Sequence, residues 1–244
     1  LLTLHVPVSP TDSPAREPAD RFLAPAPEAV SALPGVRAAG AISQLPYQEW
    51  GWNAWVRYEG SADVPLAQRP LVETRNITPG FFAATGQRLL AGRLPDAREM
   101  VATDGPPKVV VNAALVARDF RDRDPLGQRF LIGDEPQEII GVVSDIRNFG
   151  PVERPRPEAY WTFAQRQPGA TGLYLVVRTV GDDPMAVAGA VDRALRAVHP
   201  GVAIARVRPM QEVMQASVGW PRFVFALFSA LATVALVLAV AGLF

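Results

Sequence analysis

The residues able to do chemistry are few and scattered. The two histidines, His5 and His199, stand near opposite ends of the chain, and cysteine is absent. Histidines so placed give none of the short spacings of a zinc site, and no thiolate or disulfide is available. Asp182-Asp183 could be read as an acid pair. They directly precede Pro184, where an aspartate followed by proline opens a helix, so the capping role is expected. Asp145 and Arg147, just past a strand end, are the most site-like polar pair, and a loop salt bridge is the expected reading. Asn76-Ile77-Thr78 fits the glycosylation pattern, but Thr78 stands before Pro79 and reads as an N-cap. His199 precedes Pro200 at a helix end. No nucleophile elbow, H-E-x-x-H, G-x-G-x-x-G or phosphate loop is found. Catalytic, cofactor-binding and metal-ligating residues are therefore all expected to be none.

Composition narrows the partners. Formal net charge is +0, with 24 basic and 24 acidic residues. No overall field draws nucleic acid to the chain, so none is expected as a partner. The basic residues are arginine apart from Lys108, a skew that fits coding bias better than phosphate recognition. The chain starts at Leu1 with no charged segment before an apolar run. It reads as beginning downstream of its true start, with no signal peptide visible.

The elements that would hold these residues are written in an echo. LPGVRAAGAI (33–42) is matched by HPGVAIARV (199–207), and Pro18 and Pro184 precede their Pro-Gly pairs by equal intervals. In the second copy, Tyr174 to Thr179 is β-rich and Gly181 to Asp183 stops it. Val187, Ala188, Val191, Leu195 and Val198 then hold helical spacing. His199-Pro200-Gly201 ends that helix, and Val202 to Val207 is a strand. The first copy predicts a strand over Leu2 to Val8, a helix through Phe22, Leu23, Ala26, Val30 and Leu33, and a strand from Val36 to Ile42. Pro25 and Pro27 should break that helix or delay its start to about Pro27, since a proline inside a helix costs about 3 kcal/mol. Two β-α-β units pair into one sheet in a ferredoxin-like arrangement. The strands near residues 40 and 204 are expected beside one another in that shared sheet.

Everything between the copies is then an insertion with its own α+β pattern. Trp55 to Glu59, Arg69 to Ile77, Val109 to Val111, Arg129 to Ile132 and Glu138 to Val143 read as strands. Phe81 to Thr85 is a short helix closed by Gly86, and Asn112 caps another through Phe120. Asp124 to Gly127 carries a type I turn signature, and Gly150 to Pro157 is a loop. The last part is louder. Phe223 to Phe244 contains no charge, proline, asparagine or glutamine. As a helix it would span about 33 Å, against about 30 Å of bilayer hydrocarbon. Trp220 and Arg222 suit the interface before it. Ala232, Ala235, Ala239 and Gly242 make a narrow small-residue face. Met210 to Gly219 reads as an amphipathic stalk, with Val213 and Met214 on one side.

Several stretches, in order, resemble one family. NITPGFFAATGQRLLAGR, VVVNAALVARDF, DPLGQRF, EIIGVVSDIR, PRPEAYW, LVVRT, MQEVMQASVGWPRF and ALFSALATVALVLAVAGLF are similar to the extracytoplasmic domain of MacB/FtsX-type ABC transporter permeases. The resemblance runs from about residue 33 to 244. It implies an α+β fold of two lobes followed by a transmembrane helix. The porter-like lobe would be discontinuous, 1–45 and 171–209, matching the split ferredoxin-like pair of β-α-β units. The Sabre-like inserted lobe would be 46–170, the stalk 210–222 and the membrane helix 223–244. It also implies a mechanotransmitting role in export or envelope remodelling, without chemistry in this chain. The implied partners are a cytoplasmic ABC ATPase, a second permease copy, a periplasmic adaptor or cargo, and the lipid bilayer of a bacterial inner membrane, with most of the chain periplasmic. The alternatives are a membrane-anchored periplasmic ligand-sensing module, which needs a pocket between lobes, and an envelope enzyme, which needs clustered buried ionisable groups.

Overall fold

Alternating apolar side chains dominate the segments that form strands, and the short helices fill the gaps between their faces. The computed structural model describes residues 1–7, 25–48, 51–96, 99, 105–148, 150, 153–163, 165 and 172–217, with 228–229, 232–233, 235 and 241–242. In chain order the elements are β1 (Leu2–Pro7), α1 (Pro25–Ser31), β2 (Val36–Ile42), β3 (Trp52–Tyr58), β4 (Leu71–Ile77), α2 (Gly80–Thr85), β5 (Leu89–Gly92) and β6 (Lys108–Asn112). There follow α3 (Ala113–Asp119), β7 (Arg129–Ile132), β8 (Glu135–Val143), β9 (Glu158–Thr162), β10 (Gly172–Thr179), α4 (Ala188–Val198), β11 (Ala205–Pro209) and α5 (Met210–Ser217). The architecture is α+β.

All strands belong to one continuous hydrogen-bonded system with two parts. The first part is antiparallel and ordered β11-β1-β10-β2. Its strands come from the two echoed segments. β2 and β11 therefore share a sheet without touching, since β1 and β10 lie between them. Leu2, Leu4, Ala39, Ala41, Leu173, Leu175 and Val177 point to one face, where Ala26 and Val30 of α1 and Val191 and Leu195 of α4 cover them. In the second part β3, β4, β9, β6, β8 and β7 pair in a closed ring. Val56, Val72, Val111, Phe130, Ile139 and Trp161 pack within one core of that part, with Leu115 of α3. Closure leaves those six strands without an open edge. One residue pair, Ile42 with Ile77, joins the two parts through β2 and β4.

Several local expectations need correcting. Among the described residues helix α1 runs unbroken over Pro25–Ser31, within two residues of the start expected near Pro27. Both prolines fall in its first turn, where backbone N–H groups have no helical partner to lose. Phe22, Leu23 and Val8 lie outside the described residues. The turn before β7 closes one residue later than the Asp124–Gly127 reading: Gln128 N–H donates to the Pro125 carbonyl at 3.1 Å. The last strand runs over Ala205–Pro209, starting later than Val202. In α5, Val213 is buried and Met214 exposed, so they do not share a face. β5 and β9 are strands that the sequence reading left out. Among the described residues no helix is long and apolar enough to cross a membrane. The expected membrane helix at 223–244, with Trp220 and Arg222, falls largely outside the described residues.

Candidate functional site at the junction of sheet and ring

The sequence-singled residues do not converge. Asp183 caps the 3₁₀ turn Pro184–Val187, accepting from Met185 N–H at 2.9 Å. His199 is the C-cap of α4. His5 stacks on Tyr174 at 4.6 Å across β1 and β10. The Asp145 carboxylate accepts the Ala114 N–H at 2.9 Å and so serves the start of α3. Asn76 and Thr78 are buried, which closes that acceptor pattern to a glycan. Thr78 does not cap α2. Its hydroxyl accepts the Ala41 N–H at 2.8 Å, and α2 has no side-chain cap. Among the described residues no group of three or more His, Asp or Glu could hold a metal ion.

What the fold does bring together is a junction. The second face of the four-stranded part, with Ile42, Tyr174 and Val176, shares a core with Phe81, Phe82 and Ala84 of α2, Val213 of α5, and Val110, Val143 and Tyr160 of the ring. Helix α2 is thus wedged between sheet and ring. Its entry is very tight: a Cβ at Gly40 would lie 2.1 Å from the Phe81 nitrogen, and one at Gly80 would lie 2.2 Å from the Ala39 carbonyl oxygen. Backbone this close admits only glycine. The helix ends at Gly86, left-handed at φ 81, and Arg178 Nε of β10 donates to the Ala84 carbonyl at 2.8 Å. Beside β2 and β4, Ser43 and Asn76 exchange hydrogen bonds: Ser43 N–H to the Asn76 carbonyl at 2.9 Å, and Asn76 N–H to Ser43 Oγ at 3.0 Å.

Charge is buried at the same place. Strand alternation turns Ala159 and Trp161 of β9 into the core of the ring, which leaves Glu158 and Tyr160 on its other face. In the parallel β4–β9 register Glu73 stands beside Glu158 and Arg75 beside Tyr160. Arg75 Nη2 lies 3.4 Å from Glu158 Oε1, with side chains 3% and 1% exposed. Glu158 also accepts from Asn148 Nδ2 and from the Tyr160 hydroxyl, the latter at 2.6 Å. Its backbone N–H is held by Asn112 Oδ1 at 2.9 Å, the same oxygen that caps α3 through Leu115 N–H at 3.0 Å. Arg75 Nη1 reaches Gln44 Oε1, after β2, at 3.5 Å. Tyr47 takes a left-handed φ of 67, and its N–H donates to the Asn148 carbonyl at 2.7 Å. Glu73 pairs with Arg156 at 3.4 Å. Burial pushes the Glu158 carboxyl above its ordinary range; the Arg75 charge and the Tyr160 and Asn148 hydrogen bonds oppose this, and Glu73 adds to it. Burial, then the Glu158 charge, pushes Tyr160 well up.

None of this assembles a nucleophile with a base. It is an enclosed polar clamp that ties the ring to the chain leaving β2. Sequence reasoning missed it because Glu73 and Arg75 look like the solvent face of a strand. Only the i, i+2 repetition of opposite charge on β4 hinted at a shared neighbour.

Comparison with known proteins gives this arrangement its relatives. The family model of the MacB-like periplasmic core domain matches residues 3–196. The chain belongs to that family. This MacB-like periplasmic core domain has the fold of the periplasmic region of MacB from Actinobacillus actinomycetemcomitans, with TM-score 0.55, 14% identity, and 89% of this chain and 92% of that one covered. The extracellular domain of the noncanonic ABC-type transporter YknZ from Gram-positive bacteria matches with TM-score 0.51 and 17% identity, covering 85% of this chain and all of the other (100%). In sequence, the macrolide export ATP-binding/permease protein MacB of Agrobacterium fabrum is 36% identical over 72 residues, 29% of this chain and 11% of its own length. MacB 1 of Aeromonas hydrophila is 32% identical over 120 residues, 45% of this chain and 18% of its own. The matched stretch is thus under a fifth of these relatives' length.

Proposed function

We propose that this core domain is the extracytoplasmic part of an ABC transporter permease subunit that relays motion rather than performing chemistry. A separate cytoplasmic ATPase would drive the membrane helices. The domain would pass that movement to a periplasmic adaptor or cargo, in a bacterial inner membrane and alongside a second permease copy. In this reading residues 1–45 and 171–209 are a porter-like, split ferredoxin-like lobe, and 46–170 a Sabre-like inserted lobe. Residues 210–222 are the stalk and 223–244 the membrane helix. The order β11-β1-β10-β2, built from two β-α-β segments, supports the split lobe.

One observation carries the relay. Val213 of α5, the helix that leads toward the apolar run, is buried in the same core as Phe82 of α2 and Tyr160 of the ring. Close-packed interiors have low compressibility and transmit strain. A push on α5 is therefore delivered to the ring through α2. The Leu1 carbonyl accepts the Met210 N–H at 2.9 Å, so the start of β1 and the start of α5 would be driven together.

The test is a distance measurement. The permease is reconstituted with its ATPase in nanodiscs, with a spin label on Ser61, an exposed turn residue of the ring. Inter-subunit distances are read by electron resonance with ATP and with ADP. A nucleotide-dependent shift is expected; identical distributions in both states would refute the relay.

A further inference from the structure

We propose that Glu158 and Asn148 form a proton-binding site that sets whether Arg75 clamps the ring to the segment following β2. The argument starts from the hydrogen-bond inventory. Asn148 is buried, its Nδ2 donates to Glu158, and its Oδ1 has no partner. An unpaired buried acceptor is costly, and here it sits on the same amide group that holds the carboxylate. Rotating that amide by half a turn puts Oδ1 where Nδ2 stood. A carboxylate there repels it; a carboxylic acid donates to it. The site therefore offers Glu158 a hydrogen-bond partner in either protonation state, the charge-assisted bond to the ionised form being the stronger.

The charges around it make the two states different. Glu73 of β4 is the register neighbour of Glu158, so two carboxylates share one enclosed face and disfavour double ionisation. Arg75 of β4 and Tyr160 of β9 contact Glu158 directly. Arg156, ahead of β9, engages Glu73 and Glu153. Arg147, on the loop carrying Asn148, acts on Tyr47. With Glu158 ionised, Arg75 bridges it to Gln44. Uptake of one proton from solvent makes Glu158 neutral and raises the local charge by one. Glu73, two residues earlier on β4, is then the carboxylate offered to the Arg75 guanidinium. The guanidinium turns along β4, and Gln44 Oε1 keeps only the Ser43 hydroxyl as donor, at 2.8 Å. The direction in which burial moves Glu158 places this step above the ordinary carboxylate range. The inference concerns the folded chain alone and does not rest on the permease reading.

The experiment uses the full chain in detergent. Difference infrared spectra on acidification should show a buried carboxylic acid band growing in at higher pH than the exposed carboxylates titrate. That measurement needs no variant. Amide exchange of residues 43–48, corrected for intrinsic rate, should quicken below the same midpoint. Glu158→Gln, which mimics the neutral form, should remove the band and keep 43–48 in the fast state at every pH. Asn148→Leu, which removes a donor to the ionised form, should move the midpoint up. If all carboxyls titrate together, or 43–48 exchanges alike on both sides of the midpoint, the proton site is wrong.

Discussion

The two faces of the four-stranded part are covered in different ways. On one, α1 and α4 lay Val30, Val191 and Leu195 on the aliphatic side chains of β1, β2 and β10. That contact is undirected, and volume-conserving apolar exchanges there should cost little. On the other, α2 and the ring meet the sheet through paired glycines, a single β-bridge and the Arg75–Glu158 clamp. Desolvating two charges makes an ion pair a poor source of stability. What it contributes is geometry, because each partner of such a pair accepts few alternatives. The first face holds the fold together, and the second sets how its two parts meet.

The contrast can be broken most sharply at Arg75. Arg75→Met leaves Glu158 buried without its cation, and should cost about 3–5 kcal/mol by chemical denaturation. The loss should shrink on acidification. Glu158 then binds a proton in the folded chain at a pH where the unfolded chain releases it. Stability therefore rises as pH falls from the raised folded value toward the ordinary carboxylate range. Replacing both partners, Arg75→Met with Glu158→Leu, should recover most of the loss and abolish its pH dependence. A single variant no worse than the pair would place the clamp outside the energetics of the junction.

On the aliphatic face, Leu195→Ala should cost about 3 kcal/mol through a lost side chain and the cavity left behind. That loss should be the same at pH 5 and pH 8, because the side chains described around Leu195 in that core are apolar. A pH-dependent loss would merge the two faces into one system. The smallest effect is expected at Asp183, whose cap on Met185 N–H is exposed. Asp183→Ala should cost about 1 kcal/mol, read as a small drop in melting temperature with the junction's exchange protection unchanged.

Legibility followed the range of the interactions. The echoed segments were readable because helix spacing, Pro at a helix start and Gly past its end are local signals. They placed β2, α4 and the cap at Asp183 to within a few residues. The late start expected of α1 is local too: the pattern showed two prolines, and the first turn tolerates both. Strands β5 and β9 escaped: both are short, β5 is an exposed LLAG without alternation, and β9 mixes polar with apolar residues. Glu158 sits at the first position of β9, and nothing beside it in sequence says that water is excluded there. Thr78 shows the limit most plainly. Its neighbours predict a cap, but its hydroxyl serves Ala41, on a strand thirty-seven residues earlier.

The sequence by itself determined the element types, the repetition of β-α-β at both ends, and a family pattern strong enough to name. Those rest on periodicity and turn chemistry, which act within a few residues. Tertiary structure alone decided that Glu73, Arg75, Glu158 and Asn148 share one buried enclosure, and that Gly40 and Gly80 touch. Burial and contact between distant strands follow from register and ring closure, which no local stretch of the chain encodes.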